Sequence, residues 1–213
     1  MGGRARLPIA AIGCALLVVG LAAVLSHAVP VRTGTNDALA KSELARSGGR
    51  VEVCQNAELI PAGTGAVRVS LAATSPSGPP LALVATNGRT TIGRGALAAG
   101  WSGQTATIPL RPVTHVQRPA HVCVTIGASA SVALRGEEAL EPSATAAGTR
   151  VEGRLRLEYL APERATWWSQ IGTIARRMGF GHAVGGSAVA IAAALLTLGA
   201  ASLGLWQLVR DAR

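Results

Sequence analysis

Charged side chains alternate with small or apolar ones in the segment 152–159, EGRLRLEY. Because successive side chains of a β-strand point to opposite faces, a period of two residues predicts a strand with one buried and one solvated face. The segment 66–72, AVRVSLA, repeats the pattern with Arg68 and Ser70 on its polar side. We therefore predict that Tyr159 lies in a hydrophobic core to which both strands contribute.

Short segments of the same kind recur along the middle of the chain, separated by Gly, Pro, Ser and Asn. Asn87-Gly88 predicts a two-residue hairpin loop of type I′, because both central positions of that turn need a positive φ. Many short strands with regular turns and no helical period favour an antiparallel sandwich or jelly roll. We assign residues 51–160 to this mainly β domain, with further strands predicted at 51–54, 81–86, 89–92, 105–110, 121–126 and 131–134.

Two uncharged apolar segments, residues 7–31 and 183–209, flank the predicted β domain. About 20 apolar residues suffice for a helix to cross a bilayer, so we expect two transmembrane helices. The first is expected to be a retained signal anchor, although Ser26-His27-Ala28 leaves cleavage open. Arginines before the first segment favour cytoplasmic tails at residues 1–6 and 210–213. The β domain would then lie outside the cytoplasm, at the cell membrane.

Two further segments join the β domain to the predicted spans. Residues 32–50 are polar and predict a linker, whereas residues 162–179 change to a helical period with one apolar face. Such a helix is typical of a membrane interface; packing beneath the β domain and contact with a partner protein are the alternatives. The apolar face comprises Trp167, Trp168, Ile171, Ile174 and Met178, with Arg176 and Arg177 on the opposite face.

The three cysteines differ in their surroundings. Cys54 and Cys123 fall within predicted strands, whereas Cys14 lies inside the first apolar segment. On the oxidising side of a membrane, two strand cysteines are more often paired than free. We predict a disulfide between Cys54 and Cys123, with two buried thiols as the alternative.

The formal net charge of +9 would suit a nucleic-acid partner if the charge were concentrated in one patch. More than half of the excess instead lies beside the two apolar segments, where anionic lipid headgroups attract basic residues. The middle of the chain has no basic helix and no patch that interleaves basic and aromatic residues. We therefore expect membrane lipid, and no nucleic acid, among the partners.

Residues with catalytic or metal-binding chemistry are sparse. His115 and His121 are six residues apart, which matches no compact zinc spacing, so we predict neither a metal nor another cofactor. Trp101 is a candidate platform for stacking a sugar ring. A glycan-acting enzyme would need two carboxylates across a cleft, and no spacing marks a pair among Glu52, Glu58, Glu137, Glu138 and Glu152.

Several short motifs accompany the two cysteine-bearing strands: LIPAG at 59–63, GWSG at 100–103, WWS at 167–169 and ARRMG at 175–179. In this order they resemble two-span envelope proteins of high-GC Gram-positive bacteria that carry a β-sandwich ectodomain. The resemblance implies a setting in cell-surface polysaccharide assembly and assigns no catalytic residue.

These observations predict a non-catalytic accessory or binding protein of the cell envelope. Its β domain would contact a cell-surface glycan or another membrane protein. The alternatives are an envelope glycan-acting enzyme that uses unmarked glutamates, and a sensor subunit that relays a signal through a partner membrane protein.

Overall fold

A computed structural model describes residues 6–73, 77–127, 132–139 and 143–177, together with single positions at 195, 199, 202, 207 and 210. The chain divides into two compact units. Residues 30–163 form the β unit, and residues 1–29 with 164–213 form the second unit, to which both described helices belong.

Thirteen strands and two helices are described. In chain order they are α1 Arg6–Leu25, β1 Ala28–Thr35, β2 Ser42–Ser47, β3 Val51–Ile60, β4 Ala66–Ala73, β5 Leu81–Asn87, β6 Thr90–Leu97, β7 Thr105–Pro109, β8 Gln117–Ile126, β9 Val132–Glu137, β10 Ala144–Ala146, β11 Thr149–Val151, β12 Arg154–Leu155, β13 Leu157–Thr166 and α2 Trp167–Arg177.

The strands form two sheets. The first has the order β1-β13-β4-β9-β12, with β2 also beside β9 and β7 also beside β4. The second has the order β11-β10-β3-β8-β5-β6. Neighbours such as β13 and β4, or β3 and β8, run antiparallel. The mainly antiparallel, sandwich-like β architecture predicted from the alternation is therefore present.

Apolar side chains from both sheets form one core. The two segments with the clearest alternation contribute as expected, since Tyr159 is fully buried. Burying a Val or Leu side chain contributes roughly 1.5–3 kcal/mol, so this core dominates the stability of the β unit. Its most deeply buried members include Val67, Val69, Leu71 and Leu157 from the first sheet, and Val53, Leu83, Val122, Val124 and Ile126 from the second.

The predicted hairpin joins β5 to β6, but its turn differs by one residue. Asn87 pairs with Thr90, so Gly88 and Arg89 are the central residues of the loop. Gly88 has a φ of 58° and is the only one of the two with positive φ. A positive φ at the first central position alone is typical of a type II′ turn rather than type I′.

The predicted linker over residues 32–50 is instead part of the first sheet, which corrects that prediction. β1 lies beside β13, and β2 pairs with β9. Between them, Asn36 donates through Nδ2 to the carbonyl of Leu155 (2.7 Å) and accepts from the amide of Leu157 (3.1 Å). The segment was predicted as a linker because its composition is polar. Backbone pairing and the Asn36 side chain hold these strands in place, and composition does not show such contacts.

The prediction of two transmembrane helices is wrong for the first apolar segment. Its helix ends at Leu25, and residues 28–31 of the predicted span belong to β1. Within the part of the chain that the structure describes, no helix is both long and apolar enough to cross a membrane. The second predicted span, 183–209, lies outside the described residues apart from single positions.

The predicted amphipathic helix begins later than expected. Residues 162–166 extend β13, and α2 starts at Trp167. Thr166 caps the helix, because its Oγ1 accepts from the amide of Ser169 (3.3 Å) and its carbonyl accepts from the Ser169 hydroxyl (2.8 Å). A threonine in this position satisfies an otherwise unpaired amide of the first turn.

Candidate functional site

The polar halves of the two alternating segments meet on the outer face of the first sheet. Glu158 on β13 lies opposite Arg68 on β4, which lies opposite Thr107 on β7. Leu157 and Tyr159, on either side of Glu158, belong to the core, as do Val67 and Val69 on either side of Arg68. Side chains alternate along a strand, so Glu158 and Arg68 face away from the core and toward each other.

Three arginines converge on the single carboxylate of Glu158. Arg156 donates to Oε1 at 2.6 Å, and Arg32 donates to the same oxygen at 3.2 Å. Arg68 donates to Oε2 at 3.4 Å. The Glu158 side chain is only 7% exposed, whereas the three arginines remain partly open to solvent. The Glu158 carboxylate therefore lies buried beneath a cluster of three arginines, which we call the basic cluster.

The electrostatics of this cluster keep Glu158 charged. Burial acts to raise the pKa of Glu158, but the hydrogen bond from Arg156 and the charges of Arg32, Arg156 and Arg68 outweigh it. The pKa of Glu158 therefore lies below its usual range. Opposite charges within a few ångströms favour the ionised form in this way.

A fourth arginine, Arg135 on β9, joins the cluster around a pocket of about 280 Å³. Four guanidinium groups against one carboxylate give this basic pocket an excess of three positive charges. Hydroxyl and amide groups complete the wall. The lining residues are Arg32, Ala40, Arg68, Ser70, Gln104, Thr105, Arg135, Arg156 and Glu158.

Arg135 lines this pocket and also carries a buried, unused donor. Its Nε is shielded from solvent and has no hydrogen-bond partner among the described residues. A buried donor without a partner costs about 1–3 kcal/mol. Guanidinium groups present parallel donors that match the paired oxygens of carboxylate or phosphate. The pocket can therefore hold an anion with two or more acceptor oxygens.

A second buried carboxylate, Glu58, lies in the core between the sheets. Its Oε2 accepts from the Tyr159 hydroxyl (2.8 Å), and its Oε1 accepts from Asn36 Nδ2 (3.1 Å). Burial raises the pKa of Glu58, and the two hydrogen bonds and the charge of Arg154 offset only part of that effect. Burial and the neighbouring Glu58 also raise the pKa of Tyr159. Both carboxyl oxygens are occupied, so this network joins the sheets and presents no reactive group to a cleft.

A β-bulge places Glu58 in the core. The register of β3 against β8 shifts between Gln55 and Glu58, and Ala57 has a φ of 58°. One extra residue reverses which face the following side chain occupies. Without the bulge, the alternation of β3 would not turn both Gln55 and Glu58 inward.

The predicted pair Cys54–Cys123 is present, with the two sulfur atoms 2.11 Å apart. The cysteines lie directly opposite each other on β3 and β8. His121 lies two residues before Cys123, and its imidazole is hydrogen-bonded to Asn56 Oδ1. On β3, Glu52 Oε1 lies 3.7 Å from the Cys54 sulfur. These side chains occupy the outer face of the second sheet.

Trp101, the candidate sugar platform, is turned toward the protein. Its Nε1 donates to the carbonyl of Pro79 (2.6 Å), and its ring packs over Gly78 and against the core. The backbone of Gly78 is held to the same loop, since its amide donates to the Trp101 carbonyl at 2.7 Å. Trp101 is therefore half-buried, with one side of its ring packed against the protein.

The structure brings Glu138 and Glu152 together but separates them from the other glutamates that an enzyme would need. Glu58 is in the core network, and Glu137 Oε2 accepts from the amide of Leu39 (3.1 Å). Glu138 and Glu152 line one surface pocket of about 360 Å³ together with Glu43.

The predicted apolar face of α2 is partly solvent-exposed. Trp167 and Trp168 are 41% and 50% exposed, whereas Ile171 and Ile174 are half-buried. Met178 lies outside the described residues.

Comparison with protein-family models, with curated proteins and with solved structures finds no match for this chain.

The sequence did not predict the basic pocket, although three of the charged residues that line it stand in the two alternating segments. Arg68, Arg156 and Glu158 were assigned to solvated strand faces, but their sequence spacing does not show that β13 and β4 are neighbours.

Proposed function

We propose that this chain is a non-catalytic binding protein of the cell envelope, whose β unit binds an anionic ligand in the basic pocket. The observation that carries the proposal is the convergence of four arginines on one pocket that contains a single carboxylate. A site already neutralised by its own acids would carry no such excess of positive charge. Here a single carboxylate faces four guanidinium groups.

An acidic cell-surface glycan fits this pocket better than a neutral one. Carboxylate or phosphate groups match the arginines, and Ser70, Gln104 and Thr105 offer hydrogen bonds to sugar hydroxyls. A neutral glycan generally requires an exposed aromatic ring, and Trp101 is packed inward. The proposed location outside the cytoplasm agrees with the disulfide, because disulfides persist in oxidising compartments.

Binding to a polyuronate, to inorganic phosphate and to neutral dextran tests the proposal by calorimetry on the full chain. We expect the two anions to bind, dextran not to bind, and added salt to weaken binding because the interaction is ionic. Arg135→Gln should weaken binding about tenfold, the loss expected when one charge-assisted hydrogen bond is removed.

Arg94→Gln is the matched control, because it removes the same charge from an exposed position on β6 of the second sheet. Its affinity should stay within about twofold of the wild type, which is the range of unrelated surface changes. Equal losses in both variants would show a diffuse charge effect and would overturn the assignment of the pocket.

We further propose that α2 contacts membrane lipid or another membrane protein through its exposed tryptophans. Large amphipathic rings at 41% and 50% exposure are typical of interface residues.

A further inference from the structure

We propose that reduction of the Cys54–Cys123 disulfide creates a zinc site formed by both thiolates and His121. One ligand atom from each of the three residues lies within 4.8 Å of the others. Zinc binds thiolate sulfur at about 2.3 Å and imidazole nitrogen at about 2.0–2.1 Å. Small side-chain rotations are therefore enough to bring the three ligands to one ion.

The geometry of the second sheet, rather than a sequence motif, clusters these ligands. Cys123 and His121 are two residues apart on β8, so they project from the same face. Cys54 lies directly opposite Cys123 on β3, and the Cα atoms of the two cysteines are 3.9 Å apart. The sequence predicted no metal site, because the two cysteines are 69 residues apart and form no compact motif.

Neighbouring side chains orient the site. When His121 carries its proton on Nδ1, that nitrogen donates to Asn56 Oδ1 and Nε2 keeps its lone pair. Such a partner fixes the tautomer and the ring position of a ligating histidine. Glu52 Oε1 lies 3.7 Å from the Cys54 sulfur but outside the cluster of three ligand atoms, so its carboxylate would have to rotate toward the ion to supply a fourth ligand. Cys₂His with one carboxylate is a donor set that zinc accepts.

The chemistry balances with a dithiol as the reductant. The dithiol donates two electrons and two protons to the Cys54–Cys123 bond, giving two thiols, and is itself oxidised to a disulfide. Binding of Zn²⁺ then releases the two thiol protons. The oxidised chain has no thiolate, so the same residues cannot bind zinc until they are reduced. This site lies on the second sheet and does not depend on the basic pocket.

Cobalt titration of the full chain tests the inference, because Co²⁺ bound by thiolates in a tetrahedral site gives a characteristic absorption spectrum. After anaerobic reduction with a phosphine, we expect one Co²⁺ per chain, displacement by Zn²⁺ and release of two protons per ion. The oxidised chain should show no such spectrum. His121→Ala should weaken binding at least tenfold, whereas His115→Ala, which removes an exposed loop histidine, should leave it unchanged.

Absence of the thiolate spectrum in the reduced chain would overturn the inference, and so would equal binding by the two histidine variants. If reduction alone unfolds the β unit, zinc is expected to restore its β-sheet circular dichroism, since metal binding then supplies folding free energy. Failure of zinc to restore that signal would also overturn it.

Discussion

Glu58 and Glu158 are both almost fully buried, at 3% and 5% exposed, yet the pKa values of their carboxyl groups shift in opposite directions. Burial raises the pKa in both cases. Glu158 is surrounded by three guanidinium groups, which reverse the shift, whereas Glu58 has two neutral donors and one more distant arginine. The identity of the donors, rather than the depth of burial, decides which carboxyl group remains acidic.

Glu58→Gln should make the stability of the β unit less dependent on pH. A folded-state pKa above the ordinary value of 4.5 means that the contribution of Glu58 is complete below that pH and is lost as the pH rises through the folded pKa. Glutamine can accept from Asn36, donate to the Tyr159 hydroxyl and never ionise. We expect the stability of the variant relative to wild type to rise from pH 4 to pH 7, measured by urea unfolding.

Tyr159→Phe provides the contrast for that measurement. The Tyr159 hydroxyl bond acts to lower the pKa of Glu58. Its loss should raise that pKa further, steepen the pH dependence and cost about 1–3 kcal/mol. Parallel pH profiles for the wild type and both variants would mean that Glu58 does not control the pH response.

Glu158→Gln should lower stability at neutral pH and strengthen anion binding. Because the folded-state pKa of Glu158 is depressed, its contribution is present above the ordinary value of 4.5 and is lost as the pH falls through the folded pKa. The difference in unfolding free energy between wild type and variant should therefore shrink on acidification. Removing the carboxylate raises the excess charge of the pocket from three to four, so phosphate should bind more tightly at pH 7. An unchanged stability difference at acidic pH would indicate lost packing instead.

The elements show how far the sequence could predict the fold. β4 and β13 alternate regularly, and their core residues, including Tyr159, were predicted from that pattern. The segment 51–54 was predicted as a strand, but β3 continues to Ile60. The prediction ended early because the bulge at Ala57 interrupts the alternation. The basic pocket could be predicted only with knowledge of the strand order, because Arg68 and Glu158 are 90 residues apart in sequence. The alternation of side chains shows which residues share one face of a strand. Only the pairing of strands shows which residues of different strands lie side by side.

At the level of α2, replacing Trp167 and Trp168 with serine should leave the β unit intact. Trp167 and Trp168 are 41% and 50% exposed and lie in the other compact unit, so the unfolding free energy of the β unit should change by less than about 0.5 kcal/mol. Binding to lipid vesicles, or co-purification with a membrane partner, should be lost. Ile171→Ser, at a half-buried position, is the comparison variant. A large loss of stability in the double variant would place the tryptophans in a packed core.

Across the whole molecule, the excess charge of the β unit coincides with the basic pocket. Residues 30–163 contain 13 basic and ten acidic residues. The pocket accounts for four of the basic residues and one of the acidic ones. The remaining nine of each sign cancel. The charges outside the pocket therefore sum to zero, and a long-range attraction for polyanions should be directed to the pocket face.

This charge distribution predicts the salt dependence of polyuronate binding. Arg32→Gln with Arg135→Gln lowers the excess charge of the pocket from three to one, so affinity should fall and should also become less sensitive to salt, because fewer ionic contacts remain to be screened. Arg89→Gln with Arg94→Gln removes the same charge from exposed positions in and beside the β5–β6 hairpin. That control should keep the wild-type dependence of affinity on salt, measured between about 50 and 200 mM. If both double variants flatten the dependence equally, net charge rather than the pocket attracts the polyanion, since position would then make no difference.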